Sequence, residues 1–296
     1  MSIHQKHIKR PEWLKIKLVT SKDFAETKQL IHKQHLNTVC ESARCPNIFD
    51  CWNRKTATIM ILGEICTRSC KFCSVNTGKP NPVDFSEPQR VAEAVKKMQL
   101  NHVVLTSVDR DDLNDDFGAT IWAKTIREVR IVNPDCSIEM LTPDFKNCDI
   151  ALKKVFDAKP DIFSHNIETV ERISKLIRPQ SDWNRSIEVL QKSVDMGLTT
   201  KTGMMVGLGE TDNEVLESMQ KVVSIGVEYF NIGQYLQPTK DHLTVQRYVH
   251  PDIFEMYKSR GLEIGFRGVE SAPLVRSSYH ADEQVKMYGA LNKKQG

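Results

Sequence analysis

The sequence predicts an α/β protein, a partial (β/α)6 TIM-type barrel with N- and C-terminal extensions. Three observations carry that expectation. Six short apolar runs of β type alternate with segments of helical period. The chain has 296 residues, long for one ordinary domain and normal for an α/β barrel. A full eight-stranded barrel would leave no residues for the N-terminal stretch that precedes the first run, so six units fit better.

The six candidate strands span 56–62, 102–106, 137–141, 161–164, 201–206 and 229–232. Helical signals lie between them. Ser86-Glu-Pro-Gln89 reads as a capping box with Pro88 in the first turn, and Val91, Ala94, Val95 and Met98 follow at helical spacing. Thr211-Asp-Asn-Glu214 is a second box, before Val215, Leu216, Met219, Val222 and Val223. Ile187, Leu190 and Val194 mark a further helix. The resulting division is an extension over 1–55, a barrel over 56–239 and a second extension over 240–296. No repeat, low-complexity tract or GxGxxG before a helix appears, so a dinucleotide fold lacks support.

Composition narrows the class. Hydrophobic residues make up 40% and charged residues 27%, enough for a packed core. Lysine and arginine total 41 against 38 acidic residues, net +3, and the charges are mixed along the chain, which argues against nucleic acid as a partner. No apolar run approaches the roughly 18 residues of a spanning helix, and no secretory signal is seen. The expectation is a soluble, cytoplasmic protein with no membrane partner.

The eight cysteines are unevenly placed. Six of them (Cys40, Cys45, Cys51, Cys66, Cys70 and Cys73) crowd into one short stretch, and Cys136 and Cys148 stand alone. Disulfides are disfavoured in a large chain without an export signal. Structural zinc prefers four ligands in CxxC pairs, whereas these cysteines form two triplets. Two groups of three suit two clusters, each needing ligation from elsewhere. Three thiolates can bind three irons of a [4Fe–4S] cube and leave the fourth iron open. Barrel geometry gathers polar sequence near them: the C-terminal ends of the strands lead into Cys66, 106–113, His165–Glu168, 207–210 and 234–237.

Cys66-Thr-Arg-Ser-Cys70-Lys-Phe-Cys73 resembles the signature of the radical S-adenosylmethionine (SAM) superfamily. That resemblance implies a [4Fe–4S] cluster whose open iron chelates SAM, and a 5′-deoxyadenosyl radical formed on cleavage. Phe72 would lie near the adenine, or simply pack in a tight loop. Over nearly the whole chain the sequence is similar to the lipoyl synthase family. The match runs through Arg10-Pro-Glu-Trp-Leu-Lys15, Cys40-Glu-Ser-Ala-Arg-Cys45-Pro-Asn with Cys51, Thr106–Leu113, His165–Glu168, Gly207–Thr211, Gly233–Pro238 and Arg276-Ser-Ser-Tyr279. The family implies a second, auxiliary [4Fe–4S] cluster on Cys40, Cys45 and Cys51. Its fourth iron would take Ser278, with Ser277 the weaker candidate. Read without the family, Arg276–Tyr279 is a helix N-cap.

The reaction so implied inserts sulfur at C6 and C8 of a protein-bound octanoyl chain, with the auxiliary cluster as sacrificial sulfur source. These C–H bonds are beyond any side-chain base, so a cofactor must do the hard step. Thr106, Asn166, Glu168, Arg178 and Gln234 are the candidates for SAM contacts. Asp109 or Arg110 is a further candidate for lining the site, and His165 is either close to it or packed in the core. The implied partners are octanoylated lipoyl carrier domains (2-oxoacid dehydrogenase E2 or glycine cleavage H protein), an electron donor and an iron–sulfur carrier. Trp13 with Lys6, Lys9, Arg10, Lys15 and Lys17 could clasp an acidic carrier or form a solvated arm. Two alternatives stay open: another sulfur-transferring radical enzyme of the biotin synthase or methylthiotransferase kind, and a zinc-binding module.

Overall fold

The computed structural model describes residues 9–16, 19–54, 56–279 and 281. Lys6 and Lys17 of the basic segment lie outside them. One sheet holds eight strands in the spatial order β1 (Asn37–Thr38), β2 (Thr58–Ile61), β3 (His102–Ser107), β4 (Ser137–Leu141), β5 (Ile162–Ser164), β6 (Thr200–Val206), β7 (Tyr229–Gln234) and β8 (Gly268–Ser271). β1 runs antiparallel to β2, and every later pair is parallel. No pairing joins β1 to β8 among the described residues, consistent with a partial barrel.

Helices α1 (Lys22–Lys33), α2 (Val39–Ser42) and α3 (Ile48–Asn53) precede the parallel strands. After them come α4 (Glu87–Met98), α5 (Ala119–Val132), α6 (Asp149–Asp157), α7 (Glu171–Ile177), α8 (Trp183–Asp195), α9 (Asp212–Ser224) and α10 (Pro251–Glu263). The six expected strand–helix units are present. The sixth is completed by α10, and β8 then adds a seventh parallel strand beside β7, pairing Gly268 with Tyr229 and Ser271 with Ile232. A boundary at residue 240 therefore cuts through the last unit.

Local chemistry explains the helix starts. Thr211 and Glu214 form a reciprocal capping box, with the Glu214 amide 3.3 Å from Thr211 Oγ1 and the Thr211 amide 2.8 Å from Glu214 Oε2. The box expected at Ser86 is absent. Ser86 already has helical backbone angles, and its hydroxyl donates to Asp84 Oδ1 at 2.6 Å instead of capping the helix. Pro88 still occupies the first turn, where no N–H is missed.

The outward faces of the strands meet the helices in two apolar shells. Ile59, Ile61, Val103, Leu105, Ile138 and Phe163 pack with Val91, Val95, Trp122, Ile126 and Val155. Val206, Phe230 and Ile232 pack with Leu190, Val215, Met219, Phe254 and Tyr257. Each such Val, Leu or Ile contributes about 1.5–3 kcal/mol by leaving water. In the N-terminal segment, Phe24 of α1 stacks on Phe49 at 5.5 Å and lies 5.2 Å from Trp52, both of α3. That contact fixes the helix carrying Cys51.

Gly207 shows how tightly the strand ends are built. It sits at φ +97°, and a Cβ there would lie 2.2 Å from Gln234 Nε2 and 2.4 Å from the Arg247 carbonyl oxygen. Gly207→Ala is expected to lower stability by about 2–4 kcal/mol, through left-handed strain and overpacking. The expected readout is a lower urea midpoint at unchanged slope.

Candidate active site between two cysteine triads

A cavity of about 500 Å³ is lined by both cysteine triplets, by strand-end residues and by the turn through Ser277 and Ser278. Three separate parts of the chain meet there. Cys40 comes from α2, Cys45 from the turn after it and Cys51 from α3. Cys66 lies in a two-residue strand paired with Asn76–Thr77, and Cys70 and Cys73 follow in the same loop. All are free thiols. Cys136 is buried in the apolar core with Cys148 packed against it, and neither lines the cavity.

Burial pushes the thiols up, Cys40, Cys66 and Cys70 to about 12 and Cys73 to about 11, with Cys45 and Cys51 also raised. Within each triplet the sulfurs add to this by mutual repulsion: Cys45 acts on Cys40, Cys40 and Cys45 on Cys51, Cys70 on Cys66 and Cys73 on Cys70. Each triplet is thus a triad in space. A polynuclear cluster distributes its thiolates over several irons, and the two triads fit that need.

The second triad is locked by Arg68, which is 2% exposed. Its guanidinium lies 3.2 Å from Asp109, 2.9 Å from Asp111 and 2.7 Å from Asp144, and Asp144 also takes Arg185 at 2.8 Å. Backbone N–H groups of Arg68 and Asp109 each lie 3.4 Å from Cys66 Sγ. On the other side of the loop, His242 Nε2 lies 2.9 Å from the Cys73 carbonyl, and the Lys71 amide donates to Ile177 at 2.9 Å. Sequence reading missed Arg68. Its signal was a cation inside the Cys66–Cys70 spacing, with acidic residues after β3.

Of the candidates near this triad, Asp109 lines the cavity, whereas Arg110 turns away to Asp112 and the Leu62 carbonyl. His165 reaches the cavity wall but has both ring nitrogens engaged, Nδ1 at 2.9 Å from the Thr142 carbonyl and Nε2 at 3.0 Å from Ser186 Oγ. Burial drives it down to about 4, so it is a neutral packed histidine at pH 7.

Phe72, Thr106, Asn166, Glu168 and Arg178 all line the cavity. Asn166 Oδ1 and Arg178 Nε are buried with no hydrogen-bond partner among the described residues, and Asp109 Oδ1 has the Arg68 guanidinium at 3.2 Å. Unpaired buried polar atoms of this kind mark a place for a polar ligand. Glu168 sits at φ +65°, its amide bonded to Gly203 and its carbonyl to Met205; burial raises its carboxyl against the pull of Arg178. Gln234 is a correction. It is fully buried, does not line the cavity, and spends its side chain on the carbonyls of Val206, Tyr235 and Arg247 and the amide of Val249. A fully satisfied amide has nothing left for SAM.

The C-terminal turn separates the two serines. Ser278 Oγ accepts from Thr58 Oγ1 at 2.6 Å, and the Thr58 amide is bonded to Cys40, which puts Ser278 on the side of the first triad. Ser277 Oγ accepts from Asn166 Nδ2 at 2.8 Å, on the side of Glu168. Tyr279 bonds Asp50, next to Cys51, and Arg276 faces Cys45. Of the N-terminal candidates, Arg10 lines the cavity, Lys15 pairs with Glu12, and Trp13 packs edge-on against His250 at 5.0 Å.

Arg68 generates a stability prediction. Burial raises Asp144, but Arg68 outweighs it and holds the carboxyl well below the usual range. Stability from this pairing is therefore complete above about pH 4 and declines below it. Arg68→Met is expected to cost about 3–5 kcal/mol at pH 7 in urea denaturation, with the gap from the parent chain narrowing toward pH 3.

Comparison with known proteins identifies the family. Residues 60–222 match the radical SAM superfamily. The chain is 51% identical over 283 residues to a lipoyl synthase of Phocaeicola vulgatus, covering 96% of this chain and 99% of that one. It is 53% identical to the lipoyl synthase of Rubrobacter xylanophilus, over 94% of this chain and 87% of the relative. Among solved structures it is similar in fold to methylornithine synthase (TM-score 0.54, 11% identity, 79% of this chain and 80% of that one). Streptococcus suis SuiB bound to S-adenosylmethionine is also similar (TM-score 0.58, 10% identity, 87% and 57%). The chain belongs to the lipoyl synthase family of radical SAM sulfurtransferases.

Proposed function

We propose that this chain inserts two sulfur atoms, at C6 and C8, into an octanoyl chain carried on a lysine of a lipoyl carrier domain. The observation that carries the reading is that two cysteine triads, from two separate chain segments, line one cavity. SAM and a [4Fe–4S] cluster follow from the superfamily, and Cys66, Cys70 and Cys73 would hold that cluster. Once bound, it supplies the electron that cleaves SAM and so the radical that attacks an unactivated C–H bond. Cys40, Cys45, Cys51 and Ser278 would hold the second [4Fe–4S] cluster, which enters the reaction as a sulfur-donating substrate. The substrate would be an E2 or H-protein lipoyl domain; an electron donor and an iron–sulfur carrier complete the cycle.

The residues of the chain bind, orient and shield. Asn166 Oδ1 offers an acceptor to an ammonium, and Arg178 offers a cation to a carboxylate. Phe72 gives the adenine an apolar face. Thr106 Oγ1 donates to the Leu141 carbonyl at 2.9 Å, which leaves its oxygen as an acceptor. Met60, Val104, Leu141 and Met204 also line the cavity and would exclude water from an alkyl radical. Holding the acyl carbons between the two triads supplies the proximity that a bimolecular radical reaction lacks.

Two experiments test the assignment. Cys45→Ala should still release 5′-deoxyadenosine from SAM but form no lipoyl product, with iron and sulfide falling from about eight to about four of each per chain. Cys66→Ala should abolish SAM cleavage. Lipoylation by Cys45→Ala would remove the first triad from sulfur donation. Separately, Ser278→Ala should alter the Mössbauer spectrum of the first-triad cluster alone, whereas Ser277→Ala should leave it unchanged. The reverse pattern would move the ligand to Ser277.

A further inference from the structure

Beneath the cavity the barrel interior contains an ion pair that the chemistry above does not use. Glu139 of β4 is fully buried and Lys201 of β6 is 2% exposed, with Nζ 3.0 Å from Oε1 and 3.2 Å from Oε2. His102 Nε2 of β3 stands 3.6 Å from the same carboxylate, while its Nδ1 meets Ser137 Oγ at 2.7 Å. Burying two charges is a poor route to stability, because desolvation offsets most of their attraction and apolar residues would do as well. Their placement calls for another account.

The ammonium also reaches out of the sheet. Lys201 Nζ donates to the Ser277 carbonyl at 2.8 Å, across 76 positions of sequence. Asn231 Nδ2 of β7 donates to the same oxygen at 3.1 Å and to the Arg276 carbonyl at 3.5 Å. Gly233, two residues on, has no side chain where the Val275 carbonyl enters; a Cβ would lie 2.0 Å from that oxygen. The carbonyl before Ser278 is thus held by a charge-assisted bond and an amide bond, from two strands. Fixing that peptide fixes the direction in which Ser278 leaves it.

We propose that the buried Glu139–Lys201 pair is a positioning device that ties the Arg276–Tyr279 turn into the barrel and so presents Ser278 to the first cysteine triad. Glu139 pairs with the lysine Nζ and aims it; Lys201 converts that aim into a bond to the turn. The inference rests on the ligand reading of Ser278 for its consequence, not for the anchoring itself.

The test uses the anaerobically purified holoenzyme and two variants, Lys201→Met and the double variant Glu139→Gln/Lys201→Met, which leaves no unpaired buried carboxylate. Amide hydrogen exchange over residues 272–279 and the Mössbauer and EPR signatures of both clusters are recorded. In the double variant, exchange in 272–279 should rise at least about tenfold, as expected for loss of a charge-assisted bond, with the strands unchanged. The first-triad cluster signature should change while the second-triad signature with SAM stays the same. Unchanged exchange in 272–279, or an equal loss of protection throughout the barrel, overturns the proposal. A released turn with an unchanged first-triad signature keeps the anchoring and overturns the Ser278 ligand instead.

Discussion

One buried guanidinium governs how the cysteine loop faces the cavity. Arg68 sits between Cys66 and Cys70 in sequence and is surrounded by Asp109 and Asp111 from the loop after β3 and Asp144 from the loop after β4. Each contact crosses from one strand end to another. A loop rich in small and polar residues has no apolar face to bury, so it must be held by polar bonds. Three carboxylates around one cation in a low-dielectric wall are individually expensive and jointly rigid, since removing any partner leaves a charge exposed to the others. The same constraint fixes the direction of Asp109, whose Oδ1 pairs with Arg68 and whose backbone amide and Oδ2 both meet Cys66 Sγ.

Around that anchor, the two halves of the cavity are electrostatically distinct. The second triad has carboxylates at hand, Asp109 and Glu168, with Arg178 opposing them. The first triad has Arg276, whose own charge is disfavoured by burial and partly restored by Cys45. As free thiols all six cysteines resist ionisation, so ligation must supply the driving force for deprotonation. Ligation of a metal at either triplet would therefore release protons, and the wall of each half would set how readily.

Much of the barrel was legible because its signals are local. The six apolar runs appear as β2 to β7 with shifts of a residue or two at their ends, and the Thr211 box is where short-range chemistry puts it. The misses have physical reasons. β8 carries Glu270 and Ser271 in four residues and is recruited by pairing with β7, so no periodicity marks it. Ser86 has the right neighbours for a cap but a competing acceptor two residues earlier, in Asp84. Gln234 stands at a strand end, where a polar residue looks like a ligand contact, yet Gly207 and Arg247 close around it. Its function is to satisfy four backbone groups that a loop would otherwise bury unpaired.

The cysteine triplets were visible as spacing, but their convergence was not, because it depends on contacts between residues far apart in sequence. Phe24 of α1 fixes α3, Asn47 Nδ2 reaches the Leu274 carbonyl at 2.8 Å, and Thr58 joins Cys40 to Ser278. The last two tie the first triad to the C-terminal turn without any charged group. On the opposite face of the turn, Asn166 links Ser277 to Glu168. Adjacent serines thus point into different halves of one cavity, and the carbonyl between them is gripped by Lys201 and Asn231. That is why the ligand question turns on what holds the Ser277 carbonyl rather than on either hydroxyl.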